Sequence, residues 1–494
     1  MKAPVHIAFD LGAESGRAMV GRLTGSRLEL EEVRRFPTPS VRLPDGLYWD
    51  ALGLFDHLSS ALADVHASGE SVRSVGVDSW AVDFGLLDRR GALIGNPLSY
   101  RDGRGAGAVE DALRRVPAES VYATTGIQFL PINTVFQLLA LEHGALERAE
   151  TLLLIPDLLA FWLTGERRAE ATNASTTQLL DARSGDWSAE LIRQFGLPER
   201  IFAPVVEPGS ILGELLPHVA DSTGLPAATP VAVVASHDTA SAVAAAPLGA
   251  AGAAYISSGT WSLVGIEMEE PVLTARARAA NLTNERGFGG TIRLLKNVMG
   301  LWLVQECRRA WQREGDVADY ATLAALAGEE PGGVLFDPDL SELLVPGDMP
   351  ARIREACART GQRAPQDRAA LLRAIFDSLA CKYRQVLDEI EEVTGRTLGT
   401  VHVIGGGARN ELLCRLTADV SRRVVVAGPV EAAALGNVLV QMHAFGDVGS
   451  LTEMREIVRG STELVTYEPD PAGDRWSDLY ERFRAISARE VAVG

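Results

Sequence analysis

The chain has 494 residues, 47% of them hydrophobic and 23% charged, and its 48 glycines and 24 prolines are spread along its length; that excludes a disordered, low-complexity or collagenous polypeptide and implies at least two domains. Lys and Arg number 47 against 65 Asp and Glu, a net charge of −18, which repels polyanions and excludes a nucleic acid or an anionic membrane as the expected partner. Cys307, Cys357, Cys381 and Cys414 form no C-x-x-C pair, and Asp10 arrives before any apolar stretch long enough for a secretory signal, so a cytoplasmic protein without disulfides or structural zinc is expected.

Residues 5–9 read as a short apolar strand, followed by the turn-rich run Asp10-Leu11-Gly12-Ala13-Glu14-Ser15-Gly16, a strand over 17–23 and an alternating strand over 28–33. The run is glycine-rich, yet a strand follows it and it carries no lysine, so it is neither a dinucleotide fingerprint nor a P-loop. Lys2, Lys296 and Lys382 are the chain's lysines, which leaves a lysine-dependent site three candidates. An aspartate closing a strand beside such a loop can hold hydrated Mg²⁺ while backbone N–H groups cradle phosphate oxygens. Asp10 with Gly12 to Arg17 fits that chemistry; a hairpin whose Asp and Ser only cap the turn is the competing reading.

Trp80 follows a strand at 74–77 and either stacks on a sugar face or lies in the core. Asp83-Phe84-Gly85 spells the metal-binding triplet of protein kinases without their other signatures, a chance match. A strand at 231–235 delivers Ser236-His237-Asp238 to a small-residue helix. Three neighbours cannot form a Ser-His-Asp triad, and Asp238 is either a site carboxylate or a helix N-cap.

The charge-free run 239–266 is long enough for a bilayer, but Pro247, Gly249 and Gly252 break it into a buried helix, a turn and a strand. Strands at 253–256 and 261–266 flank the polar turn Ser257-Ser258-Gly259-Thr260, repeating half a chain later the opening strand–loop–strand plan. Two domains, 1–248 and 249–494, follow, with the boundary between Pro247 and Gly252 and a ligand expected between them. Leu372, Ile375, Leu379, Tyr383, Leu387, Ile390 and Val393 mark an amphipathic helix stopped by Gly395. A strand at 401–404, the run Gly405-Gly406-Gly407-Ala408-Arg409-Asn410, a helix at 411–419, a strand at 424–426 and a small-residue helix at 431–440 complete an α/β pattern. The triple glycine lets a ring or phosphate approach bare backbone, or serves packing.

Taken in order, Asp10-Leu11-Gly12-Ala13-Glu14-Ser15-Gly16-Arg17, Gly76-Val77-Asp78-Ser79-Trp80, Ala235-Ser236-His237-Asp238-Thr239-Ala240, Ser258-Gly259-Thr260-Trp261-Ser262 and Gly405-Gly406-Gly407 resemble the FGGY family of carbohydrate kinases. Stretches 125–131, 173–178, 295–303 and 427–432 extend the resemblance to about residue 470. It implies two ribonuclease-H-like domains of the actin and hexokinase type, with an ATP and sugar cleft between them. The implied reaction, in L-rhamnose catabolism, is ATP plus L-rhamnulose giving ADP plus L-rhamnulose 1-phosphate, with Mg²⁺. By that resemblance Asp238 is the general base for the C1 hydroxyl, and Ala81, His237, Asp238, Thr239 and Asn297 line the sugar. Ala13, Glu14, Ser15, Gly16, Arg17 and Thr260 face the ATP phosphates, Gln305 and Gly407 contact the nucleotide, and Asp10 lies near Mg²⁺. Backbone amides and a metal take the place of a P-loop lysine.

The chain departs from the family pattern at Ala81, where Gly is common, and at Glu14, where Ser is frequent. One methyl group in a snug pocket shifts discrimination by ~1–3 kcal/mol, so L-fuculose or L-xylulose is the alternative substrate. An actin-like ATPase and a catalytically inactive sugar sensor are the non-kinase alternatives, and the oligomeric state, monomer or homodimer, is left open.

Overall fold

The computed structural model describes residues 3–141, 143–249, 252–315 and 318–491. Lys2, and residues 250–251 within the expected domain boundary, lie outside them. In chain order, the elements that position the site begin with β1 (Val5–Leu11), β2 (Ser15–Thr24), β3 (Arg27–Pro37), β4 (Val72–Ser79), β5 (Ala169–Glu170), α1 (Ala171–Ala174), β6 (Ser210–Glu214), β7 (Pro230–Val233) and α2 (Asp238–Ala244). The second half supplies β8 (Ala253–Ser258), β9 (Trp261–Met268), β10 (Thr283–Arg286), β11 (Ile292–Met299), α3 (Trp302–Arg313), α4 (Arg368–Thr394), β12 (Thr400–Ile404), α5 (Glu411–Ser421), β13 (Val424–Ala427), α6 (Ala432–Ala444) and β14 (Val465–Tyr467).

Contacts divide the chain into two compact units. The first comprises Met1–Pro247, Glu267–Leu294 and Glu431–Thr462; the second comprises Leu248–Ile266, Leu295–Val430 and Glu463–Gly494. Chain order alone gives two contiguous halves, whereas β10 and the late helix α6, both beyond residue 248, belong to the first unit.

In the first unit a six-stranded sheet runs in the order β6-β7-β4-β1-β2-β3. Every residue of β1 is buried, as expected of a central strand covered on both faces. It pairs antiparallel with β2 and parallel with β4, and the register sets Asp10 opposite Arg17 and alongside Asp78. Paired residues share a face of the sheet, so this register gathers three ionisable side chains at one end of β1.

The helix α6 is rich in Ala, Leu and Val and packs against α2 and β1. A Cβ on Gly436 would overlap the Ser241 carbonyl of α2; glycine is required for that close approach. From the same helix, the Asn437 amide donates to Asp78 (2.6 Å) and the Gln441 amide to the Ile7 carbonyl (3.0 Å).

The second unit repeats the arrangement. Five adjacent strands of a seven-stranded sheet run in the order β9-β8-β12-β13-β14, with β8 antiparallel to β9 and parallel to β12. The long amphipathic α4 is capped by Asp367, ends at Gly395 and packs on α5. Its Tyr383 hydroxyl bonds the Ser262 hydroxyl of β9 at 2.7 Å. The charge-free run that is nominally long enough for a bilayer is divided between α2, β8 and β9. Among the described residues no helix is long and apolar enough to cross a membrane.

Candidate functional site

In the first unit, Asp10 is buried at the end of β1 and receives Arg17 Nη2 at 2.5 Å; the other Nη of Arg17 is bonded to Glu431, the residue before α6. The loop between β1 and β2 is closed by the Gly12 N–H donating to the Ser15 carbonyl (3.1 Å), and Thr38 clamps it through the Gly12 and Glu14 carbonyls (2.7 and 3.2 Å). Ala13, Glu14 and Ser15 are half-buried there, and Gly16 is packed beneath the Phe36 ring. Thus Arg17, expected at the phosphates, is held between two carboxylates in this state.

Asp78 was in a family-like run but had no role from sequence. It is fully buried; one carboxylate oxygen accepts from Asn437 and the other, Oδ1, has no hydrogen-bond partner. Burial first, and then the neighbouring Asp10, hold its carboxyl well above the ordinary aspartate range. Such an orphaned acceptor in a carboxylate cluster suits a cation or a bound water.

Asp238 is the first residue of α2, whose N-cap is His237 without a side-chain capping bond. This corrects the N-cap reading of Asp238: its carboxylate accepts from the neighbouring Thr239 hydroxyl (3.1 Å) instead of closing the helix end. Burial raises its pKa above the ordinary value, His237 opposes the shift, and Asp10 adds to it.

The turn bearing His237 and Asp238 is anchored from β5. Glu170 is buried and accepts from Thr172 N (2.9 Å), Thr172 Oγ1 (2.6 Å), Asn173 N (3.1 Å), Ser236 N (3.0 Å) and Ser236 Oγ (2.7 Å). Thr172 Oγ1 in turn accepts the His237 N–H at 3.3 Å, and the Ser236 carbonyl accepts the Ser79 N–H at 2.9 Å. The backbone leading into Asp238 is therefore fixed before any ligand arrives.

Ala81 is half-buried and precedes Val82, whose φ of 68° is a strained conformation for a β-branched residue. The Val82 carbonyl accepts from Thr134 Oγ1 at 2.7 Å, which holds that conformation in place. Trp80 takes the core reading: it is buried against Trp49, with ring centroids 4.3 Å apart, and donates to Asp83 at 3.1 Å. Asp83, set aside as a chance match, is a structural anchor. It receives Trp49 and Trp80 Nε1, the Tyr100 N–H and the Gln137 amide, and burial pushes its pKa up to about 7.

In the second unit Thr260 lies in the β8–β9 turn, Gly407 packs against Ser258 at its edge, and Gln305 is carried by the helix whose start bonds the turn. The Thr260 and Gly259 carbonyls accept the N–H groups of Trp302 and Leu301 at the start of α3, the helix that carries Gln305. Gln305 Oε1 is buried with no hydrogen-bond partner. Gly407 is buried against Ser258, and a Cβ there would overlap the serine side chain, so its missing side chain also serves packing. Asn297 lies half-buried on β11 in this unit. Lys296 pairs with Glu389 (2.9 Å), and Lys382 with Asp337 and Asp339 (3.0 and 3.1 Å), so both described lysines have structural roles.

Comparison with known proteins agrees with this architecture. The FGGY family of carbohydrate kinases matches through its N-terminal domain over residues 5–245 and its C-terminal domain over 254–445. This chain is an FGGY carbohydrate kinase. The FGGY chain is 43% identical to a rhamnulokinase of Bacteroides thetaiotaomicron over 480 residues, covering 97% of this chain and 98% of the relative. It is 42% identical to a rhamnulokinase of Enterococcus faecalis, covering 98% of each. Among solved structures, a ligand-bound xylulose kinase of Lactobacillus acidophilus superposes with a TM-score of 0.80 at 15% identity, over 99% of this chain and 98% of that one. The glycerol kinase of Plasmodium falciparum with ADP gives 0.78 at 16% identity, over 99% and 98%. The last two show the two-domain FGGY kinase fold.

Mg²⁺ accompanies ATP in such chemistry and is bound through one or two carboxylates, phosphates and water. Asp10 and the unpartnered Oδ1 of Asp78 fit that demand. Among the described residues no group of three His, Cys, Asp or Glu side chains is set to hold a metal unaided.

Proposed function

We propose that this FGGY kinase transfers the γ-phosphoryl group of ATP to the C1 hydroxyl of L-rhamnulose, giving L-rhamnulose 1-phosphate and ADP. The observation that carries the reading is the turn Ser236-His237-Asp238, held by Glu170 with Asp238 beside His237, in a chain 43% identical to a rhamnulokinase over 480 residues. Asp238 takes the C1 hydroxyl proton as that oxygen bonds to the γ-phosphorus and the bond from phosphorus to the β,γ-bridging oxygen breaks, leaving ADP with the electron pair. Burial makes the Asp238 carboxylate a stronger base than a solvated one.

His237 and Thr239 flank the base and hold the sugar with Asn297, while Ala81 borders the pocket beside the strained Val82. Ala13, Glu14, Ser15, Gly16 and Arg17 in the first unit, and Thr260, Gln305 and Gly407 in the second, bind the nucleotide. Asp10 and Asp78 would hold Mg²⁺, which when bound screens the phosphate charge. Four free, buried cysteines support a cytoplasmic, reducing setting.

The test is ADP release by purified protein with Mg-ATP and L-rhamnulose, L-fuculose, L-xylulose, D-xylulose, glycerol or no sugar. Strong preference for L-rhamnulose is expected. Preference for another ketose overturns the substrate and implicates Ala81; sugar-independent hydrolysis overturns the kinase reading.

A further inference from the structure

His237 carries three charged groups around one buried ring. Arg293 Nη2 lies 3.0 Å from Nδ1, Glu285 Oε2 lies 3.3 Å from the same nitrogen, and Asp238 Oδ1 lies 3.6 Å from Nε2. Arg293 is wholly buried, and Glu285 and His237 nearly so. The first two come from β10 and β11, more than forty residues beyond the turn, and all lie in the first unit.

The chemistry of the guanidinium decides which nitrogen bears the proton. Arginine donates and never accepts, so its approach to Nδ1 requires a lone pair on that nitrogen. A hydrogen on Nδ1, in either the other tautomer or an imidazolium, would point into the Arg293 N–H groups. Glu285 Oε2 sits 3.1 Å from Arg293 Nη2 and offsets the buried positive charge, while its 3.3 Å approach to Nδ1 lacks hydrogen-bond geometry. A second bond fixes the guanidinium itself, with Arg293 Nε donating to the Arg286 carbonyl at 3.0 Å. From the backbone side, Thr172 Oγ1 accepts the His237 N–H, which orients the residue without touching the ring.

We propose that the buried Arg293–Glu285 pair is a positioning device that locks His237 as its Nε2–H tautomer and so presents a hydrogen-bond donor beside the Asp238 carboxylate. Nε2–H then faces Asp238 Oδ1 at 3.6 Å, an electrostatic contact longer than a hydrogen bond, on the same oxygen that accepts from Thr239, which leaves the second oxygen for the acceptor hydroxyl. This catalytic consequence rests on the kinase reading; the tautomer does not.

The experiment is nitrogen-15 NMR on histidine-labelled, ligand-free protein at neutral pH. The chain has eight histidines, and the His237 ring signals are those lost in His237→Gln. The expected result is a protonated Nε2 and an unprotonated Nδ1. An Nδ1–H tautomer or an imidazolium in the unsubstituted protein overturns the proposal. In Arg293→Gln the side-chain carbonyl can accept from Nδ1–H, so the signal is expected to move to that tautomer or to a mixture. There kcat should fall about tenfold, the worth of one charge-assisted hydrogen bond, with a smaller change in the KM for sugar. An unchanged ring signal in folded Arg293→Gln equally overturns the assignment. Lack of sugar-dependent ADP release by the unsubstituted protein refutes the kinase reading alone and leaves the ring signal as it is.

Discussion

The two units build the same strand–loop–strand corner and fill it with opposite chemistry. In the first, β1 lies antiparallel to β2 and parallel to β4; in the second, β8 stands in the same relation to β9 and β12. Where the first register pairs Asp10 with Arg17 and Asp78, the second pairs Ser258 with Ser262 and Ser257 with Ile404. One corner is crowded with buried charge and the other offers hydroxyls, backbone and glycine. A proton acceptor and a metal need charge, whereas a nucleotide needs shape and neutral donors. On the proposed reading, the first corner joins the proton acceptor and the metal carboxylates to one nucleotide loop, and the second adds neutral nucleotide contacts.

The largest test of that division is Asp238→Asn. The amide keeps the shape but cannot take a proton, so kcat should fall about 10²–10⁴-fold while calorimetry still shows sugar binding. Near-normal turnover would remove the chemistry from this corner. Next comes Glu170→Ala, which leaves the donors of Thr172, Asn173 and Ser236 unpaired in the interior. At about 1–3 kcal/mol for each unsatisfied group, thermal unfolding should show a clearly lowered Tm. An unaltered Tm would mean that the turn does not depend on this carboxylate.

A smaller effect is expected on the neutral side. Thr260→Ala removes one hydroxyl from the β8–β9 turn and should raise the KM for ATP about 3–10-fold, the worth of one hydrogen bond, with the KM for sugar unchanged. A change confined to the sugar would reverse the roles of the two corners. The subtlest test is a pH profile. Burial, with Asp10 adding to it, raises the Asp238 carboxyl, and only the ionised form can accept a proton. Thus kcat/KM should fall as pH drops through that raised value. Asp10→Asn removes one of the raising charges, so its acid limb should move to lower pH, whatever the loss in absolute rate. A limb displaced upward would show that Asp238 does not set it.

The opening strands, both loops and the turn before Asp238 were legible because each is a local pattern: a short apolar run, a glycine-rich turn, another apolar run. The groups that tune the site were not. Asn437 reaches Asp78 across 359 positions, Glu431 reaches Arg17 across 414 and Arg293 reaches His237 across 56, distances that no periodicity spans. Glu170 stands at the end of a two-residue strand before a four-residue helix, too short for either period to register. Asp78 was within reach, since it ends a strand beside a turn as Asp10 does. Asp83 shows the converse: a triplet that spells a metal ligand elsewhere here holds two indoles.

The late segment Glu431–Thr462, which folds into the first unit, also fixes when the site can exist. Chains are made from the amino end and domains ordinarily fold as they emerge. Here the ribosome must deliver Glu431 and Asn437 before Arg17 and Asp78 have their native bonds. A nascent chain that has just passed Pro247 already holds Asp10 and Asp238 in sequence but not their finished surroundings. The native surroundings of this corner are thus completed late in translation, and an interrupted product that stops before α6 carries Asp10, Asp78 and Asp238 without the helix that packs against them.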